Sequence, residues 1–143
     1  MSPCLPLPEL RRPMSAPPEA TPSCALVMAR TQRPLASKVT LARTWTARLV
    51  GLLGRRALGE DEAMVFPRCR AIHTLGMRFP IDAVFVDRDW QVVGLRRALP
   101  PWRIVLPVRG AWGVVEVAKG ALARIGLRVG DELKLVKKNG YSA

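Results

Sequence analysis

The hydrophobic pattern of the chain switches between short apolar runs and single helical stripes. Lys38-Val-Thr-Leu-Ala42 carries the β-branched content of a short strand. Thr44 can cap a helix in which Trp45, Leu49, Leu52 and Leu53 recur at i, i+4, i+7 and i+8 and share one face, with Gly54 ending it. Ala63-Met-Val-Phe66 reads as a strand stopped by Pro67. Ile81-Asp-Ala-Val-Phe-Val86 and Gln91-Val-Val-Gly-Leu95 flank Asp87-Arg-Asp-Trp90 as the two arms of a β-hairpin. Trp102 to Leu106 lie between Pro101 and Pro107, which confine them to an edge or irregular strand because proline donates no ladder bond. Gly113-Val-Val-Glu-Val-Ala118 is the most strand-like run. Gly120 to Gly126 predicts one or two helical turns closed by a glycine cap, and Glu132 to Val136 the last strand.

Six or seven short strands with two short helices lack the long crossovers of a doubly wound sheet. The expected fold is therefore mainly β, a small barrel or sandwich. Proline density bounds it. Eight of the 13 prolines fall in residues 1–37, which predicts a disordered tail there, a single domain over 38–137 and a short tail over 138–143. Met28-Ala-Arg would be an ordinary beginning for the regular part. The prolines and charges near the N-terminus break the apolar stretch that an export signal needs. No run reaches the roughly 18 apolar residues of a membrane span. With Cys4 and Cys24 assigned to the tail, only Cys69 belongs to the domain, so a reducing, cytoplasmic address is expected.

Charge adds one function class. The chain holds 23 Lys plus Arg against 11 Asp plus Glu, a formal +12. A field of that sign attracts nucleic acid, anionic lipid or acidic proteins. Arg43, Arg48, Arg55 and Arg56 would gather around the first helix and its C-terminal end as a basic surface. Basic residues do not alternate with aromatic ones in the manner of a single-strand stacking surface.

Candidate chemistry concentrates in Cys69-Arg-Ala-Ile-His73-Thr-Leu-Gly-Met77-Arg-Phe-Pro-Ile-Asp82, which contains the only histidine. Cys69 and His73 are a thiol and an imidazole that could form a nucleophile and its base, with Asp82 as orienting group. In an extended chain, however, positions four apart are about 13 Å apart. A metal would find two ligands here, too few for a structural zinc set, so neither metal nor cofactor is expected. The first expectation is instead a non-enzymatic binding loop in which His73, Thr74, Met77 and Asp82 meet a small ligand or protein partner, with the Cys69 and His73 enzyme as the alternative. Glu116, alone among valines, would join them if the sheet gathers these side chains at one end.

Four motifs appear in register: Arg48-Leu-Val-Gly-Leu-Leu-Gly-Arg55, the His73-Thr-x-x-Met77 and Pro80-Ile-Asp82 stretch, the Phe85-Val-Asp hairpin, and Val115-Glu-Val with Gly126-Leu-x-x-Gly-Asp131. Together they resemble the bacterial and archaeal domain of unknown function 192 family over residues 38–136. The resemblance implies a compact β-rich fold with little helix and brings no established activity. Many members carry an export signal and a Trp-Met-Lys-Asn-Thr version of the central motif, where this chain has Ile72-His73-Thr74-Leu75-Gly76-Met77.

Overall fold

A computed structural model describes residues 20–21, 24–42 and 56–137. They form 11 strands and one short helix in the order β1 (Ala20–Thr21), β2 (Cys24–Met28), β3 (Pro34–Ala36), β4 (Lys38–Leu41), β5 (Glu62–Pro67), β6 (Ile72–His73), β7 (Ile81–Val86), β8 (Val92–Leu99), β9 (Ile104–Val105), β10 (Gly113–Ala118), α1 (Ala121–Ile125) and β11 (Leu133–Lys137). A six-stranded sheet runs β1-β4-β5-β10-β7-β8, a second sheet runs β11-β2-β3, and β6 and β9 pair as a two-stranded ribbon. The chain is mainly β, and none of the described sheets closes into a barrel.

Strand alternation gives the large sheet two apolar faces. On one, Val39, Val65, Val115, Val117, Val84 and Val86 meet Leu26, Met28, Leu35 and Leu133 of the small sheet and Leu122 and Ile125 of α1. On the other, Met64, Phe66, Val114, Ala83 and Phe85 meet Ile72 and Val105 of the ribbon, together with Met77 and Phe79 from the connection that follows it. A central strand covered on both sides is apolar throughout rather than alternating. This explains why all six residues of β7 and all six of β10 are buried. Leaving Phe85 as alanine would cost about 3–5 kcal/mol, because a rigid interior cannot collapse into the void.

Two expectations need correction. The domain does not begin at Lys38: β2 and β3 precede it and supply core residues, with Leu26 and Met28 completely buried. Cys24-Ala-Leu-Val-Met28 is a continuous apolar strand, paired on one side with β11 and on the other with β3. Proline density obscured it, because Pro34 sits at the start of a strand, where a missing donor is tolerated. Consequently Cys24 also belongs to the fold, and both described cysteines, Cys24 and Cys69, are free thiols. One helix is present among the described residues. The helix expected after Thr44, with Arg43, Arg48 and Arg55, lies outside them, as do residues 1–19 and 138–143.

The predicted hairpin is present, and its turn shows why Asp87 stands there. The Asp87 carboxylate accepts the amides of Asp89 and Gln91 at 2.8 and 2.9 Å, while Trp90 takes a positive φ of 65° with its indole buried. An Asx-type turn of this kind satisfies the loop amides locally. The returning arm, β8, runs four residues further than its apolar pattern indicated, to Leu99.

Candidate functional site

Asp82, Glu116 and His73 are in three different places. In the antiparallel register of β10 with β7, Asp82 is opposite Val117 and Glu116 is opposite Ala83. Adjacent positions on a strand point to opposite faces. Asp82 therefore shares the face covered by α1, and Glu116 the face covered by the ribbon. His73 is one residue past the buried Ile72 and belongs to the ribbon's outer side. The sheet does not collect the two carboxylates and the imidazole into one hollow.

Asp82 has a complete structural account. Only 1% of it is exposed, and its oxygens accept three backbone amides: Ala98 at 2.8 Å, Gly120 at 3.0 Å and Leu122 at 3.2 Å. The β7–β8 register slips between Ile81 and Ala83, and Ala98 adopts a φ of 50°, so its amide turns toward the carboxylate. The other oxygen caps the first turn of α1, whose own cap position is Gly120 and carries no side chain. A buried carboxylate surrounded by amide donors is stable where an isolated one would not be. One side chain thus ties β7 to both the bulge and the helix.

Glu116 is fully buried between Met64 and Ala83 on the ribbon-covered face. Met77, 4% exposed, fills the same apolar layer. The Cys69 thiol, half-buried, donates to the carbonyl of Ala71 at 3.0 Å, and Nδ1 of His73 accepts the amide of Leu75 at 3.3 Å. The thiol and the imidazole nitrogen each contact the backbone two residues further along the chain. Among the described residues no three His, Cys, Asp or Glu side chains form a metal-ligand group. Arg56, the first described residue of the stretch that precedes β5, is exposed.

Thr74 organises what surrounds His73. It is completely buried; its hydroxyl donates to Pro100 O at 2.6 Å and accepts from the Arg103 amide at 2.9 Å. Its backbone N–H donates to Arg103 O at 2.8 Å, and its carbonyl accepts the amides of Trp102 at 2.9 Å and Met77 at 3.1 Å. The threonine thereby fixes the loop 100–103 against the turn 74–77. That fixed loop leads into the feature that reading the sequence missed. Trp102, Ile104 and Leu106 are 65%, 66% and 74% exposed, and Leu75 beside them is 38% exposed. Ile104 pairs directly with His73, and by alternation Leu106 shares its outward side while Val105 packs inward. The prolines that flank Trp102 to Leu106 identified an edge or irregular strand. Which side faced the core could not be read from it.

The comparisons agree with this architecture. The pattern of the DUF192 family, described as "Uncharacterized ACR", matches residues 26–135. The chain belongs to the DUF192 family. A UPF0127 protein of Thermococcus sibiricus is 32% identical over 100 residues, which are 67% of this chain and 64% of that protein. One from Pyrococcus furiosus is 38% identical over 64 residues, 45% of this chain and 54% of its own. The matches thus span less than two thirds of those two curated relatives. Among solved structures, a candidate transcription regulator from Sinorhizobium meliloti superimposes with a TM-score of 0.66 at 25% identity, covering 78% of this chain and 90% of that one. A protein of unknown function from Novosphingobium aromaticivorans gives 0.64 at 25% identity, covering 86% and 89%. The family match begins at Leu26, inside β2, in keeping with a domain that starts before Lys38.

Proposed function

We propose that this DUF192 domain is a non-enzymatic binding module that docks a ligand or partner on the outward face of the β6–β9 ribbon around His73. The observation that carries this reading is the exposure of Trp102, Ile104 and Leu106 on a segment whose backbone is pinned by Thr74. Single exposed hydrophobic residues are ordinary, whereas a contiguous set of them marks a contact surface. A rigid backbone lowers the ordering cost of binding. In this reading His73 supplies the polar group on the docking face, Thr74 positions the loop, and Met77 supports the ribbon from below. Asp82 and Glu116 contribute from inside the fold. The free thiols of Cys24 and Cys69 fit a reducing, cytoplasmic setting.

An apolar anionic dye, 8-anilinonaphthalene-1-sulfonate, tests the reading. Native full-length chain should enhance its fluorescence, and Ile104→Ser/Leu106→Ser should remove most of that enhancement while leaving the unfolding temperature unchanged. Equal enhancement by both proteins would eliminate the ribbon as the docking face. The enzymatic alternative has its own readout. Fast alkylation of Cys69 below neutral pH, abolished by His73→Ala, would establish a thiolate–imidazole pair in place of the binding module.

A further inference from the structure

The identity of the partner follows from the charge around the exposed face. Residues 68–81 and 100–115, the ribbon and its flanking loops, contain five arginines and no aspartate or glutamate. Arg70, Arg103 and Arg109 are all exposed and rim this face: Arg103 alternates with Trp102 and Ile104 in the chain, Arg109 follows Leu106 by three residues, and the carbonyl of Arg70 accepts the amide of Val108 at 3.0 Å. We propose that the outward face of the β6–β9 ribbon binds the surface of an anionic lipid bilayer, with Trp102, Ile104 and Leu106 entering the interfacial layer and the arginines meeting lipid phosphates. This inference rests on the docking face argued above.

Shape and charge together favour this occupant. Side chains that are two-thirds exposed project from the surface, so they suit a medium that closes around them more than a rigid partner that must offer a matching pocket. Tryptophan and branched aliphatic groups placed among arginines are the composition of interfacial anchors, in which apolar area and attraction to anionic headgroups add. A second copy of the chain is a poorer match, because pairing this face with itself would bring arginines against arginines with no acid to meet them. Nucleic acid would use the arginines and Trp102 but gains little from Ile104 and Leu106, which offer no π-face for a base. Across the described residues no helix is long and apolar enough to cross a membrane, so the contact proposed is peripheral.

The test is co-sedimentation of the full-length chain with phosphatidylcholine vesicles that contain or lack phosphatidylglycerol, at low and at raised salt. The expected result is binding to the anionic vesicles only, weakened by salt, with quenching by brominated lipid that Trp102→Phe removes. Ile104→Ser/Leu106→Ser and, separately, Arg103→Gln/Arg109→Gln should each weaken binding by about tenfold or more. The unfolding temperature of both variants should match the parent, since these side chains are exposed in the fold. Failure to bind anionic vesicles overturns the proposal. So does binding that the serine variant retains, which would reflect net charge alone. Variant-sensitive binding of a single-stranded oligonucleotide without vesicle binding, or a dimer in sedimentation that the serine variant abolishes, would assign the face to a different occupant. If the dye result stands while vesicles are ignored, the docking face survives and only the lipid assignment falls. If the dye result also fails, both fall together.

Discussion

The two covers of the large sheet solve different problems. The cover formed by β2, β3, β11 and α1 turns its apolar side chains inward, and the polar groups at its margins are matched to partners. Asp82 accepts three amides, and Asp131 accepts the Arg128 amide at 2.9 Å while holding Arg30 through two contacts at 3.0 and 3.3 Å. The ribbon cover also buries its inner side, through Ile72 and Val105, but its outer side presents Trp102, Ile104 and Leu106 to solvent. The first cover is built for stability, and the second combines a fixed backbone with an apolar surface that the fold itself does not use. An unused apolar surface on a rigid element is where binding free energy can be gained without a folding penalty.

The comparison can be broken most severely at β2. A chain beginning at Met28 lacks Cys24 to Val27, the residues that pair with Lys134 to Lys137. It should fail to give a cooperative thermal transition, because both β3 and β11 lose their shared central strand. A normal transition in circular dichroism would show that the small sheet is dispensable. Next in size is Asp82→Ala, which leaves three amides, the buried one of Leu122 among them, without their acceptor and should destabilise the domain by about 3 kcal/mol. Urea unfolding measures it, and a loss under 1 kcal/mol would contradict the clamp.

Thr74→Val removes the hydroxyl bonds to Pro100 and Arg103 while preserving shape, at a cost of about 1–3 kcal/mol. Its signature should be local: hydrogen exchange at the Trp102 and Arg103 amides should accelerate more than at β7 or β10. Uniform acceleration would mean that the ribbon is not a separately pinned unit. The smallest effect expected is electrostatic. The Arg30 guanidinium hydrogen-bonded to Asp131 holds that carboxyl below its ordinary 3.8. A lowered folded-state value means the contribution is present above the ordinary value and fades as pH falls through the lowered one. Asp131→Asn should therefore narrow the stability difference from the parent only under strongly acidic conditions, near or below about pH 4. A difference already lost at pH 6 would contradict this.

The elements carried by strong local pattern were legible: the β7–β8 hairpin, the Val-rich β10, the edge strand at β9 and the short helix with its glycine cap. Those that depend on distant neighbours were not. Cys24 to Met28 carries the apolar run of a buried strand, yet its neighbourhood of prolines outweighed that signal, since only pairing with β11, more than 100 residues away, makes it a strand. Asp82 stood out as a charge opening an apolar strand. Its acceptor role depends on a bulge at Ala98 and a helix start at Gly120, neither of which is encoded near it. The candidate site was legible in part. His73 and Thr74 do border the exposed face, whereas the expected convergence with Asp82 and Glu116 required those two residues to share a side of the sheet, and β10 pairs with β7 in the register that separates them.

The central claim is that the outward face of the β6–β9 ribbon is the contact surface. Amide and indole chemical shifts of the full-length chain, recorded during titration with phosphatidylglycerol-containing bicelles, test it residue by residue. The account predicts shifts concentrated at Leu75, Trp102, Ile104 and Leu106, including the Trp102 indole, with the buried Trp90 indole unmoved. Shifts gathered instead around Arg30, Asp131 and β11, or absent throughout, would contradict it.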